Sequence, residues 1–82
     1  MRTEQDVLKD FEALGYKVVC NNERELVLED EYYRHHIDRI HISKDLRLYT
    51  KFQHLYRVDE PKNLDMQEHN LLNELFKIWG WI

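Results

Sequence analysis

Two stretches of the chain place apolar residues on one face of an amphipathic helix, at the start and at the end of the sequence. The first follows Thr3, a good N-cap, and ends at Gly15, which suits a left-handed C-cap. The second begins at Asp65, where Glu68 completes a capping-box pattern, and ends near Gly80. We therefore predict a helix at each end of the chain. The apolar positions that define the two helices are Val7, Leu8, Phe11, Leu14, Leu71, Leu72, Leu75, Phe76 and Trp79.

Between these helices, apolar and polar residues alternate with the period of two that is typical of β-strands. The first predicted hairpin has strands at residues 16–20 and 25–29. Asn21-Asn22 lies in its turn, because asparagine tolerates positive φ. We expect Asp30-Glu31 to break the pattern and end the return strand.

The clearest alternation lies in a second hairpin, with a stretch at residues 32–42, a turn at 43–45 and a strand at 46–52. On this last strand, one face carries Leu46, Leu48, Thr50 and Phe52, and we expect it to face the core. The other face carries Arg47, Tyr49 and Lys51, and we expect it to face solvent. Residues 53–58 either extend the strand or form an edge segment, and Pro61 ends regular pairing.

The predicted order is helix, four strands, helix, without the alternation of strands and helices that produces parallel sheets. This order indicates an α+β fold, with an antiparallel sheet of three to four strands flanked by an N-terminal and a C-terminal helix. A chain of 82 residues corresponds to a single domain, residues 1–82.

Composition predicts a folded domain, because 43% of the residues are hydrophobic and 12% are aromatic. The chain has one cysteine, Cys20, which excludes an internal disulfide and a zinc site built on several thiolates. We expect Cys20 to be a small buried side chain. There is no long apolar run, and the first residues are polar and acidic, so we expect a cytoplasmic protein without a membrane partner.

The sequence carries no motif of a common class of enzyme, and we expect neither catalytic activity nor a cofactor. Ser43, the one serine, falls in a predicted turn. A metal site is also not expected. His35 and His36 are adjacent, so in a strand they point to opposite faces, and His41 lies about 20 Å along a strand from His35.

Charge is distributed unevenly along this mildly acidic chain of net charge −4. Residues 34–57 carry six basic and two acidic side chains, whereas the segments on both sides are acidic. Basic groups next to aromatic rings suit phosphates and unpaired bases. We favour the other interpretation, in which the charged strand face is solvated or complements acidic segments of the same chain or of a second copy. The candidate binding residues on this basic-aromatic strand face are Arg39, His41, Arg47, Tyr49 and Lys51.

The chain ends on a run of large apolar residues. In one interpretation, Trp79 closes the core and Trp81 packs on the sheet beside the first helix. In the other, Trp81 and Ile82 meet a second subunit, because tryptophan is enriched at interface hot spots and the symmetric dimer is the commonest oligomer. We keep Trp79, Trp81 and Ile82 as candidate residues of a dimer interface.

The final helix begins with Leu64-Asp65-Met66-Gln67-Glu68-His69 and ends with Lys77-Ile78-Trp79-Gly80-Trp81. This helix and the layout of the chain resemble those of small phage and prophage proteins of Gram-positive bacteria. The YopT-like group, which is unrelated to the protease toxin of that name, is the nearest. The resemblance implies a small homodimer and supplies no catalytic residues.

Two functions are therefore expected. The first is a non-enzymatic interaction protein that is homodimeric and phage- or prophage-derived, with itself and a host or phage protein as partners. The alternative is a small nucleic-acid-binding protein that uses the basic-aromatic hairpin at residues 34–57.

Overall fold

A computed structural model describes residues 2–82 and shows an antiparallel sheet with a helix before it and a helix after it. The predicted α+β class is confirmed, although the described residues form five strands where three to four were predicted. The strands lie in chain order across the sheet, and each pairs antiparallel with the next. The elements are α1 (Glu4–Ala13), β1 (Lys17–Asn21), β2 (Glu25–Tyr33), β3 (His36–Ser43), β4 (Leu48–Leu55), β5 (Val58–Pro61) and α2 (Met66–Ile78).

Both helices begin at the predicted caps. The Thr3 hydroxyl accepts the Asp6 N–H at 3.3 Å, and the Asp6 carboxylate accepts the Thr3 N–H at 2.9 Å. Asp65 and Glu68 form the same reciprocal pair at the start of α2, at 2.8 and 3.0 Å. Each capping box satisfies backbone N–H groups that have no partner inside the helix, so the sequence signal and the local structure agree.

Both helices pack against one face of the sheet, which we call the inner face. Their apolar stripes meet the apolar residues of β2 and β3 in one core cluster. The opposite or outer face has no helix over it among residues 2–82. The core consists of Val7, Leu8, Phe11, Tyr16, Leu26, Leu28, Ile40, Ile42, Leu72, Leu75 and Phe76.

The prediction that Asp30-Glu31 ends the second strand is wrong. β2 continues to Tyr33, and Asp30 pairs with Asp38 on β3. The β2–β3 turn lies at Arg34–His35 instead. Aspartate is rare in strands, but here the pairing of β2 with β3 overrides the propensity.

The predicted orientation of the 46–52 strand is also wrong, because the turn before it is longer than expected. The turn covers residues 44–47, and Lys51 therefore pairs with Ile40, which lies on the inner face. A shift of one residue in register moves every side chain to the opposite face of a sheet. Consequently Leu46 and Leu48 are exposed, whereas Lys51 is only 8% exposed.

Contacts that are distant in sequence define this four-residue turn. The Lys44 N–H donates to the Arg24 carbonyl at 2.7 Å, and Lys44 Nζ donates to Asn21 Oδ1 at 3.0 Å, so the turn is tied to the β1–β2 turn. Arg47 closes it in the left-handed conformation, with φ of 54°. Because no glycine or asparagine marks this position, the sequence pattern placed the turn too early.

Gly15 offers a test of how α1 is joined to β1. Its φ is +107°, and an added Cβ would lie 3.1 Å from Asp30 Oδ1. Gly80 also has positive φ, +78°, but an added Cβ would meet no atom within 4 Å. We expect Gly15→Ala to lower the free energy of unfolding by about 2 kcal/mol or more, since backbone strain and contact add, and Gly80→Ala by about 1 kcal/mol. Urea denaturation measures both, and equal losses would contradict the close approach at Gly15.

Candidate functional site

The structure separates the five residues predicted to form one basic-aromatic strand face. Arg39 and His41 lie on the outer face, opposite to Lys51, because Ile40 between them points to the core. Both side chains are already paired. Arg39 Nη2 lies 2.8 Å from Glu29 Oε2, and His41 Nε2 lies 3.2 Å from Glu25 Oε2.

The other three predicted residues lie elsewhere. Tyr49 is on the inner side, where its ring centroid is 5.6 Å from that of Phe76 in α2. Arg47 belongs to the turn before β4, and Lys51 is buried. The proposed single surface of five residues is therefore wrong, because the four-residue turn inverts the faces of β4.

Lys51 belongs instead to a buried polar contact at the start of α2. Its Nζ lies 2.5 Å from Glu68 Oε1, and both side chains are only 5% exposed. The Tyr16 hydroxyl donates to the other oxygen, Glu68 Oε2. Glu68 also accepts the Asp65 N–H as part of the capping box. One carboxylate thus joins α2, β4 and the residue that precedes β1.

The C-terminal tryptophans pack within the chain. The ring of Trp81 stacks on Phe76 with centroids 4.8 Å apart, and Trp79 Nε1 donates to Glu4 Oε1 at 2.8 Å. Both tryptophans pack against the core cluster, as expected for Trp79, but Trp81 lies on Phe76 of α2 where the sequence interpretation placed it on the sheet beside the first helix. Ile82 is 71% exposed. A dimer through this end of the chain stays a prediction.

Two neighbouring turns bring aromatic and arginine side chains to one end of the sheet. The β2–β3 turn at residues 34–35 contacts the β4–β5 turn at 56–57, where the Tyr56 N–H donates to the His35 carbonyl at 3.2 Å. Tyr33 and Tyr56 are each 69% exposed. We call this group the hairpin-tip cluster, which consists of Tyr32, Tyr33, Arg34, His35, His36, Tyr56 and Arg57.

The rings of the hairpin-tip cluster pack around His36. Its ring centroid is 5.3 Å from that of Tyr33 and 5.6 Å from that of Tyr56, both in edge-to-face geometry. His36 Nε2 is buried and has no hydrogen-bond partner among residues 2–82. His35 and Tyr56 hold left-handed backbone conformations, with φ of 63° and 57°. Backbone strain of this kind persists only where the surrounding structure maintains it, and it clusters at functional sites.

Sequence reasoning missed the hairpin-tip cluster because neither turn contains a residue that typically marks a hairpin. Arg34–His35 and Tyr56–Arg57 lack glycine, asparagine and aspartate. The available signal was aromatic density, since Tyr32-Tyr33 and His35-His36 flank a single arginine. Only the pairing of β3 with β4 shows that the two turns are neighbours.

Neither helix of residues 2–82 is long and apolar enough to cross a membrane. Within the same residues, no group of three histidine, cysteine or carboxylate side chains is arranged to hold a metal ion. Comparison with known proteins gives no match to a family model, to a curated protein or to a solved structure.

Lys51 is buried and Arg39 is exposed, so we expect their replacement to lower the free energy of unfolding by different amounts. Lys51→Met leaves the buried Glu68 charge unpaired, so we expect the free energy of unfolding to fall by about 3–5 kcal/mol. Arg39→Met removes an exposed pair and should cost below about 1 kcal/mol. Urea denaturation measures both. The double variant Lys51→Met/Glu68→Gln should regain much of the loss, because glutamine removes the unpaired charge and can still accept hydrogen bonds from the Asp65 N–H and the Tyr16 hydroxyl. Equal costs for the two single variants would contradict the buried pair.

Glu68 also predicts a dependence of stability on pH. Burial raises the pKa of Glu68, but hydrogen bonds from Lys51, Tyr16 and the Asp65 N–H outweigh it and lower that pKa below its ordinary 4.5. A depressed carboxyl pKa stabilises the fold above the unfolded pKa, and this contribution is lost as pH falls through the folded pKa. We therefore expect the free energy of unfolding to decrease as the pH is lowered below 4.5.

The experiment is urea denaturation between pH 7 and pH 3 for the wild type and two glutamine variants. Glu68→Gln cannot titrate at this position, so its disadvantage relative to the wild type should shrink as the pH falls. Glu74→Gln alters a 42% exposed carboxyl on the same helix and should keep the acid-dependent loss. A constant difference between Glu68→Gln and the wild type would contradict the assignment.

Proposed function

We propose that the protein is a non-catalytic interaction protein that binds an acidic protein partner through the hairpin-tip cluster. The observation that carries the proposal is the exposure of Tyr33 and Tyr56, 69% each, beside two arginines on neighbouring turns. Tyrosine and arginine are enriched among the few residues that supply most of the binding energy at interfaces. Rings that are already packed around His36 lose little conformational freedom on binding.

The charge of the hairpin-tip cluster favours a partner that carries carboxylates. Arg34 and Arg57 are exposed, and neither forms a salt bridge with any of residues 2–82. Arginine binds carboxylates in a two-pronged geometry that is specific as well as favourable. The tip therefore combines apolar contact area with two free cationic groups.

A protein partner is favoured over a nucleic acid because the six basic side chains of residues 34–57 do not form one surface, and two of them are already in ion pairs with carboxylates. Arg39 pairs with Glu29, Lys51 pairs with Glu68, and Lys44 donates to the β1–β2 turn. The remaining arginines are divided, since Arg47 lies at the opposite end of β4 from the tip. Tight binding to nucleic acids usually uses roughly 6–10 phosphate contacts, more than the tip supplies.

The states of Cys20 and Ser43 support a non-catalytic role. Partial burial and a hydrogen bond to Glu25 raise the pKa of the Cys20 thiol, so the reactive thiolate is disfavoured. The Ser43 hydroxyl accepts the Leu46 N–H at 3.4 Å, and it therefore has a role in the turn.

Photo-crosslinking tests the proposal. Benzoylphenylalanine replaces Tyr33 in the tip or, as a control, Leu48, which is 59% exposed at the other end of the sheet. In cells that produce the protein, we expect position 33 to capture a discrete protein and position 48 not to. The purified partner should then bind the wild type at least tenfold more tightly than Arg34→Glu/Arg57→Glu, because two charged contacts are reversed.

The control for the charge reversal is Arg47→Glu, which should leave the affinity unchanged. Crosslinks at position 33 that disappear with nuclease, together with salt-sensitive binding to a labelled oligothymidine, would establish the nucleic-acid alternative instead. Equal capture at both positions, or equal weakening by Arg47→Glu, would overturn the assignment of the tip.

A further inference from the structure

A polar cleft of about 350 Å³ lies on the inner face of the sheet, beside the start of α2. It is at the end of the core where aspartates replace the apolar residues of β2 and β3. Asp30 and Asp38 occupy the next inward positions after Leu28 and Ile40. The cleft is lined by four carboxylates and two lysines, together with Leu14, Tyr16, Asn63 and Gln67.

Asp30 and Asp38 face each other across the β2–β3 ladder. Directly opposed residues on one face of a sheet have Cβ atoms about 4.5–5.5 Å apart, and like charges in this position are destabilising. Burial, followed by the charges of Asp38 and Glu68, raises the pKa of Asp30. The fold therefore holds two carboxyl groups together at a cost in stability.

The lysines of the cleft compensate this charge only in part. Lys51 is committed to Glu68, and Lys62 Nζ lies 3.0 Å from Asp38 Oδ2. Asp38 as a whole is only 7% exposed. Its second oxygen, Oδ1, is buried and has no hydrogen-bond partner among residues 2–82. A buried carboxylate oxygen without a donor is costly, and native proteins contain few of them.

We propose that this cleft binds the guanidinium group of a small ligand or of an arginine side chain, with Asp38 Oδ1 and the Asp30 carboxylate as the acceptors. A guanidinium is planar and presents several N–H donors to one or two carboxylates at once. It supplies both the missing donor for Asp38 Oδ1 and the missing positive charge between the two aspartates. A metal ion fits less well, because no group of three histidine, cysteine or carboxylate side chains in the described part of the chain is arranged to hold one, whereas a guanidinium needs only two carboxylates.

The approach of α1 to β2 also suits a site at this position. Gly15 allows the chain to pass so close to Asp30 that an added Cβ would lie 3.1 Å from its carboxylate. The loop between α1 and β1 therefore covers one side of the Asp30 carboxyl group. A site of roughly 300 Å³ or more is large enough for a small organic ligand.

The test is an NMR titration of the ¹⁵N-labelled full chain with agmatine, and separately with N-acetyl-arginine amide, which represents an arginine side chain. We expect saturable shifts at the amides of Gly15, Asp30 and Asp38. Butylurea, which resembles a guanidinium in shape but is neutral, should cause none. The tighter of the two guanidinium probes identifies the source of the group.

Variants separate binding from folding. Asp30→Asn and Asp38→Asn should each weaken agmatine binding about tenfold or more, because each removes a charged acceptor. Asp45→Asn changes the net charge equally in an exposed turn and should leave binding unchanged. Asp30→Asn should also raise the midpoint of thermal unfolding, since it removes the repulsion from Asp38.

Several results would overturn the proposal. They are the absence of saturable shifts up to about 10 mM agmatine, equal shifts with butylurea, and equal weakening by Asp45→Asn. Shifts confined to the hairpin-tip cluster would likewise place any binding outside the cleft. None of these outcomes depends on whether the tip binds a protein partner.

Discussion

The buried contact of Glu68 with Lys51 and Tyr16 is the constraint on which the arrangement of the elements depends. The Glu68 carboxylate caps α2, pairs with the central part of β4 and accepts the hydroxyl that precedes β1. In a site of low dielectric, each group is tolerable only while the others are in place. The contact therefore sets the position of α2 on the face of the sheet to which the register of β4 turns Lys51.

Two other places in the structure are energetically unfavourable in a way that packing alone does not explain. At the hairpin tip, Tyr56 adopts a left-handed conformation and His36 Nε2 lacks a partner. In the cleft, Asp30 opposes Asp38. Strained backbone of this kind clusters at functional sites, and buried polar groups without a partner are rare in native proteins. Lys62 connects the two places, since its ammonium contacts Asp38 and lies 5.9 Å from the ring centroid of Tyr32.

Much of the fold could be predicted from local signals. The caps at Thr3 and Asp65, the left-handed Gly15 and the helical spacing of the apolar residues depend on neighbours within one or two turns, and the structure agrees with them. The faces of β4 could not be predicted in this way. They follow from a turn that is one residue longer than predicted and that Arg47 closes in a left-handed conformation. Lys44 ties this turn to Arg24 and Asn21, which are about 20 residues away in the sequence.

The sequence by itself determined the class of the fold, because helix caps and the two hydrophobic periods are properties of short segments. Tertiary structure alone decided which side chains meet. Because of the register of β4, the basic residues of 34–57 do not share one surface. Arg39 forms an exposed ion pair, Lys51 forms a buried one, and Arg34 and Arg57 lie in the hairpin-tip cluster. The physical reason is that a side chain in a sheet acquires its neighbours from other strands, and register depends on turn lengths that composition does not specify.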